Sequence, residues 1–569
     1  MASSARVCVF ILLCAYAHGL QVNTTEGIVE GRRAVDGDYF TFNSIPYAGP
    51  TDGANRFKSP TPPAPYPALL NTTETTVICA QPTERGLIGV ENCLFLNIFT
   101  RNVTTPKPVI VWLNADDYTN TNLLNQQYSF RRFVEQDIVF VSMNFRLSVF
   151  GFLCLGVQEA PGNAGLKDVI QGLRWINANI ANFGGNPNNV VLMGHASGAA
   201  MVDLLTMTSQ TQGLIHKAIA LSGSALAPWA VAYDPVGYAE LFGSRLGYSG
   251  KSREDLAKHL VSTDINVLQT ALREFSFQNN TPLFAPCIEN LELNPNDTVL
   301  IDAPINILQS GNFLPVPYIS GYTTREGTMR ASQAASGEWL DAMQTNFTEF
   351  LPVDLNLSNN QTVVTASIRD FYFDTKPVSM ETIEDFLDYQ GDTLIVVSVI
   401  RGARERSLQS TGEVRLLEFG YMGTRLSDWF FPQIPLGGVR HGGLLNFLFD
   451  YDLRPADESV MRSIVRRFIG FAYTGVPNIL GDPLAPTWPA ITRDDLTYYI
   501  YEGIDMAAIG NPVAIHDEEL RFNPHNITMT FWNDILARYY VPPRAFNSSG
   551  KVLSSITFIM MCQMVMRLF

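Results

Sequence analysis

The sequence predicts an α/β architecture, with one large and mostly parallel sheet carrying helices on both faces. Three observations support this. Residues 109–113 and 138–143 are short, continuous apolar runs, which is the composition of strands buried on both sides. Residues 163–183 place Leu166, Val169, Ile170, Leu173, Ile176 and Ile180 at helical spacing. The stretch Val190-Val191-Leu192-Met193-Gly194-His195-Ala196-Ser197-Gly198-Ala199-Ala200 reads as a buried strand that turns sharply into a helix of small residues.

Taken in order, residues 27–65 are rich in turn formers and suit short antiparallel strands. A strand is expected over 93–99, followed by the two apolar runs and the helix of 163–183. That helix leads through Gly184-Gly185-Asn186-Pro187 into the sharp strand-to-helix turn. Further strands are expected over 218–222, 317–321 and 414–419. Strand and helix alternate throughout, the pattern of a parallel sheet covered on both sides.

The chain has 569 residues, 46% of them hydrophobic and 11% aromatic, enough for a large core, and shows neither repeat nor low-complexity block. A formal charge of −15 argues against nucleic acid or anionic membrane as a general electrostatic partner. Residues 1–19 order a basic Arg6, an apolar run over 7–13 and the small-residue end Ala17-His18-Gly19. This is the pattern of a secretory signal, the alternative being a buried N-terminal helix. Asn-x-Ser/Thr sequons start at Asn23, Asn71, Asn102, Asn279, Asn296, Asn346, Asn356, Asn360, Asn526 and Asn547, a density that suits a glycosylated extracellular surface. The expected domain spans 20–546. The tail, 547–569, opens with small residues and is then mostly apolar, the order of a GPI-attachment signal. A single-pass helix or a tail packed on the domain are the alternatives, though Gln563 and Arg567 make a poor span.

Outside the two end segments the cysteines are Cys79, Cys93, Cys154 and Cys287. Cys79 and Cys93 enclose a short loop and are the expected disulfide of an oxidising compartment. Cys154 sits in an apolar run and reads as a buried thiol, and Cys287 has no evident partner. No Cys/His cluster has metal-ligand spacing, so neither a metal nor a cofactor is expected.

The strand-to-helix turn carries the chemistry. In a Gly-x-Ser-x-Gly nucleophile elbow the serine stands on a strained corner with its Oγ exposed above an α/β-hydrolase sheet. Here that position is Ala196, whose methyl group has no lone pair with which to attack a carbonyl. Ser197 follows directly, but one residue along a helix is a rotation of about 100°, which turns its hydroxyl away from the position of a nucleophile.

The chain resembles the type-B carboxylesterase/cholinesterase family from about residue 27 to about 540. The resemblance is carried by Phe42-Asn43-Ser44-Ile45-Pro46-Tyr47-Ala48, Glu91-Asn92-Cys93-Leu94-Phe95-Leu96-Asn97, Gly165-Leu166-Lys167-Asp168 and Phe183-Gly184-Gly185-Asn186-Pro187. Lys217-Ala218-Ile219-Ala220-Leu221-Ser222-Gly223-Ser224 and Phe471-Ala472-Tyr473-Thr474-Gly475-Val476-Pro477 add to it. The resemblance implies an α/β-hydrolase fold with a deep gorge, the Cys79–Cys93 bridge, and structural ion pairs of Arg56 with Glu91 and Arg146 with Asp168. It also places the family's acid at Glu326 and its base at His441. An active triad needs a serine whose proton that histidine takes, with the acid holding the imidazole tautomer.

Two departures bear on activity. Ala196 stands in place of the nucleophile, a loss that costs on the order of a millionfold in comparable triads. The family's His-Gly-Gly-Gly oxyanion loop is replaced by Asn114-Ala115-Asp116-Asp117-Tyr118. Asp116 and Asp117 bring carboxylates toward a site that should stabilise negative charge, unless they form only a solvated turn, and one lost oxyanion donor costs about a hundredfold to a thousandfold. The sequence therefore predicts a catalytically inactive, secreted or membrane-tethered protein acting by protein recognition, similar to the cholinesterase-like adhesion proteins. One alternative is the binding of a small lipophilic ligand in the old gorge. The other is residual ester hydrolysis through Ser197 or Ser222.

Overall fold

The computed structural model describes residues 19–545 except 67, 73–76, 84–85, 116, 122–127, 274–279, 424–430, 432–433, 435, 450–452, 454, 493–494 and 505–514. The expected signal (all but Gly19), the 547–569 tail with Asn547, and Asp116 and Asn279 lie outside the described residues.

The strands are β1 (Leu20–Thr24), β2 (Gly27–Arg33), β3 (Phe40–Pro46), β4 (Leu70–Asn71), β5 (Gln81–Thr83), β6 (Gly86–Ile88), β7 (Phe95–Thr100) and β8 (Lys107–Leu113), followed by β9 (Val139–Met143), β10 (Gly185–His195), β11 (Lys217–Leu221), β12 (Tyr318–Thr323), β13 (Val414–Gly420), β14 (Thr497–Ile504) and β15 (Ile515–Phe522). A 13-stranded sheet runs β1-β2-β3-β7-β9-β8-β10-β11-β12-β13-β14-β15, with β4 beside β2, and β5 and β6 form a separate pair. From β9 to β14 every neighbour is parallel. Both margins are antiparallel, so the sheet is mixed.

Alternation of side chains explains why the central strands are apolar throughout. Val109, Val111 and Leu113 of β8 enter one core, while Ile110 and Trp112 enter the core on the opposite face. Val190 and Leu192 of β10 likewise oppose Val191 and Met193. Each such aliphatic side chain contributes roughly 1.5–3 kcal/mol on burial, and a polar substitution on either face would forfeit that. The β14–β15 margin went unanticipated. The run Asp517-Glu518-Glu519 looks like surface loop, but Glu518 pairs with the buried Arg467 at 2.7 Å and also accepts from Tyr499.

The helix Ala164–Asn179 packs on the sheet with Asp168 fully buried, because Asp168 takes the Arg146 guanidinium at 2.5 and 2.8 Å. Arg56 forks onto Glu91 at 2.7 and 2.8 Å. These are the two pairs the resemblance implies. Such pairs add little net stability over apolar replacements, but breaking one strands a buried charge.

Cys79 and Cys93 are bridged. Cys154 is not a buried thiol: it is bonded to Cys287, 133 residues away. The carboxamide of Asn163 joins the two regions, accepting from Cys287 N and donating to Cys287 O, both at 2.8 Å. Gly162 sits at φ +114°, where an added Cβ would fall 2.7 Å from one sulfur and 2.9 Å from the other. A side chain there would collide with the bridge.

Candidate active site

The site is built at the C-terminal ends of the parallel strands. β10 ends at His195, the helix Ser197–Leu205 begins at once, and Ala196 between them adopts φ 53°, ψ −119°. Positive φ in a residue with a Cβ is strained, costing of order 1–3 kcal/mol, and here the surrounding structure enforces it. Ala196 N–H donates to Leu221 O of β11 at 2.9 Å. The flanking glycines are sterically required: a Cβ on Gly194 would meet Gly198 O at 2.4 Å, and one on Gly198 would meet Leu113 O at 2.4 Å. The corner thus has the shape of a nucleophile elbow with a methyl group at its apex.

Glu326 follows β12 and is buried. Its Oε1 accepts from Thr323 N–H and from the Ser222 hydroxyl, each at 2.6 Å, and its Oε2 lies 2.5 Å from His441 Nδ1. His441 is seated by its own N–H on Thr328 Oγ1 at 2.8 Å. The carboxylate beside Nδ1 keeps the proton on that nitrogen, so Nε2 is left as an acceptor. No described residue hydrogen-bonds to His441 Nε2. The His195 ring lies beside it, centroid to centroid 4.6 Å, and neither nitrogen of buried His195 has a partner among the described residues. Burial, and secondarily His441, hold the His195 imidazole well below its ordinary pKa and therefore neutral.

The structure brings Ala196, Glu326 and His441 together and turns both nearby serines to other tasks. Ser197 Oγ accepts from Tyr118 N–H at 3.0 Å, deep in the core. Ser222 Oγ binds the acid rather than the histidine. Asp117 is neither a plain solvated turn nor a free charge in the gorge. Its Oδ1 caps its own loop, accepting from Thr119 N–H at 2.9 Å and Asn120 N–H at 3.1 Å. Burial raises its pKa, and the field of the buried Arg330 partly offsets this. Arg330 in turn donates to Asn280 Oδ1 at 2.9 Å and is itself lowered to about 10 by burial.

Sequence reasoning missed His195, Ser222 as the partner of Glu326, and the Arg330–Asn280 support. His195 was within reach, since the residue before the elbow apex must border the site. The others come from loops far apart in the chain.

Of the sequon asparagines, Asn23, Asn71, Asn296, Asn346, Asn356, Asn360 and Asn526 are exposed. Asn102 is half-buried, its Oδ1 accepting from Lys107 Nζ at 2.9 Å.

A mostly parallel sheet with an elbow at the end of β10, and an acid–histidine pair from the segments that follow β12 and β13, defines the α/β-hydrolase class. The carboxylesterase family model matches residues 18–507, and the chain belongs to that family. It is 28% identical to venom carboxylesterase-6 of Apis mellifera over 551 residues, covering 90% of this chain and 94% of that protein. It is 28% identical to juvenile hormone esterase of Tribolium castaneum, covering 73% and 75% respectively. The crystal structure of juvenile hormone esterase from Manduca sexta superposes with a TM-score of 0.79 over 91% of this chain and 100% of that one, at 23% identity, a likeness of fold.

Proposed function

We propose that this protein is an extracellular member of the carboxylesterase family that acts by recognition and does not form an acyl-enzyme. The observation that carries the reading is the methyl group of Ala196 at the elbow apex, with the hydroxyls of Ser197 and Ser222 committed to Tyr118 and Glu326. The partner is an extracellular protein, as for adhesion-type members of the family, and the 547–569 tail is a candidate membrane tether. Among the described residues no helix is long and apolar enough to cross a membrane. A second reading, a small lipophilic ligand in the former active site, is favoured by one observation: the two unpartnered nitrogens of buried His195. A polar group buried without a partner is costly unless something supplies one.

The acyl-enzyme question is tested with a fluorophosphonate probe that labels activated serines. The native secreted chain should stay unlabelled, and Ala196→Ser should label. A native chain that labels stoichiometrically overturns the proposal. Recognition is tested by applying the purified ectodomain to intact cells and crosslinking: saturable, protease-sensitive binding is expected, and its absence, with a lipophilic ester probe bound instead, favours the second reading.

A further inference from the structure

We propose that the retained Glu326–His441 pair activates water directly, making this chain a slow, serine-independent hydrolase of esters with good leaving groups. The inference rests on the absence of a serine nucleophile argued above. At the apex, alanine is smaller than serine by one oxygen atom, and it directly follows His195, whose ring lies 4.6 Å from that of His441, centroid to centroid. The pair is not a relic loosely held. Glu326 has its other oxygen fixed by Thr323 N–H and Ser222 Oγ, and His441 is pinned by Thr328, so the imidazole keeps the tautomer and orientation of a general base. His195 is neutral and adds no positive charge to oppose protonation of its neighbour.

The step balances with water as the only co-reactant. A water oxygen bonds to the ester carbonyl carbon while its proton passes to His441 Nε2, and the carbonyl electron pair moves onto oxygen. Ser197 opens the helix Ser197–Leu205, so its N–H has no acceptor within the helix, and the proposal assigns it as the donor to that oxyanion. The tetrahedral adduct then expels the alkoxide or aryloxide, which takes the proton back from Nε2 and leaves the carboxylic acid. Glu326 holds the imidazolium throughout. The substrate class follows from what is missing. Without the His-Gly-Gly-Gly loop that the family resemblance would place after β8, charge on the adduct is poorly stabilised, so only esters whose leaving group departs easily, aryl esters above all, are expected to turn over.

The test compares native chain, His441→Gln, Glu326→Gln and Ala196→Ser on phenyl acetate, with thermal unfolding to show that each variant is folded. The native rate should exceed that of His441→Gln by roughly a hundredfold, the scale of general-base catalysis. It should show no burst of phenol, resist the fluorophosphonate probe, and slow in D2O. Glu326→Gln should lose most of the rate, and Ala196→Ser should gain a burst and become sensitive to the probe. A folded native chain no faster than folded His441→Gln overturns this inference and leaves the recognition reading standing. A stoichiometric burst from the native chain overturns both.

Discussion

The Tyr118 amide N–H donates to the Ser197 hydroxyl at 3.0 Å, and both residues are buried. This bond gives the serine beside the elbow a structural task, holding the loop that follows β8 against the helix Ser197–Leu205. Tyr118 itself sits at φ 63°, and its ring packs edge-on to Phe152 and Trp229. Removing the acceptor strands a buried N–H, so Ser197→Ala should cost about 1–3 kcal/mol in denaturant unfolding. A neutral result would mean that the loop relaxes freely and that the hydroxyl is not its anchor.

Ser222 provides a second test of an apparently spare hydroxyl. It supplies one of the two donors to Glu326 Oε1, from a backbone at φ 56°. Hydrogen bonds to a charged group contribute about 1.5–3 kcal/mol, so Ser222→Ala should destabilise by that order. The His441 imidazole N–H resonance, which reports the bond to Glu326, should shift. Unchanged stability with an unchanged resonance would show that Thr323 alone holds the acid.

How far the site could be read in advance depends on the range of each interaction. The elbow is local: strand, apex and helix occupy one stretch, and Gly194 and Gly198 mark the close approaches. The central strands were equally legible, because two-sided burial leaves an unbroken apolar run such as Val109-Ile110-Val111-Trp112-Leu113. Glu326 and His441 were placed through the family resemblance, since neither has a local signal. What remained hidden was set by long-range chemistry. β15 carries charges because Glu518 meets Arg467 from another element, and Cys154 is bonded to a cysteine 133 residues further along the chain.

That second disulfide closes a loop of 133 residues. In the chain-entropy account a bridge of this span removes about 5 kcal/mol of freedom from the unfolded state, and losses of native disulfides cluster at about 2–5 kcal/mol. Cys154→Ala with Cys287→Ala should therefore lower unfolding free energy by that order under oxidising conditions. The paired variant should be as stable as the native chain once both are reduced. Equal stability before reduction would show that the bridge contributes nothing.

The buried carboxyl of Asp354 makes stability depend on pH. It is 5% exposed, its Oδ1 has no partner among the described residues, and it lines a crevice with Thr393, Ser398, Arg401 and Trp532. Burial pushes its pKa from 3.8 up to about 6, against a smaller downward pull from Arg401. A carboxyl raised in the folded state binds its proton more tightly there than in the unfolded chain. Its contribution is therefore fully present below the unfolded value and is lost as pH rises through about 6. At pH 7 the ionised group costs about 3 kcal/mol. Asp354→Asn keeps the shape without the charge, so it should stabilise the chain at pH 7 by up to that amount. The gain should shrink between about pH 6 and pH 4, where Asp354 itself becomes neutral. Unfolding curves of the two proteins at several pH values decide the matter: a gain that grows toward acid would mean that Asp354 is stabilised as the carboxylate and that Arg401, not burial, governs it.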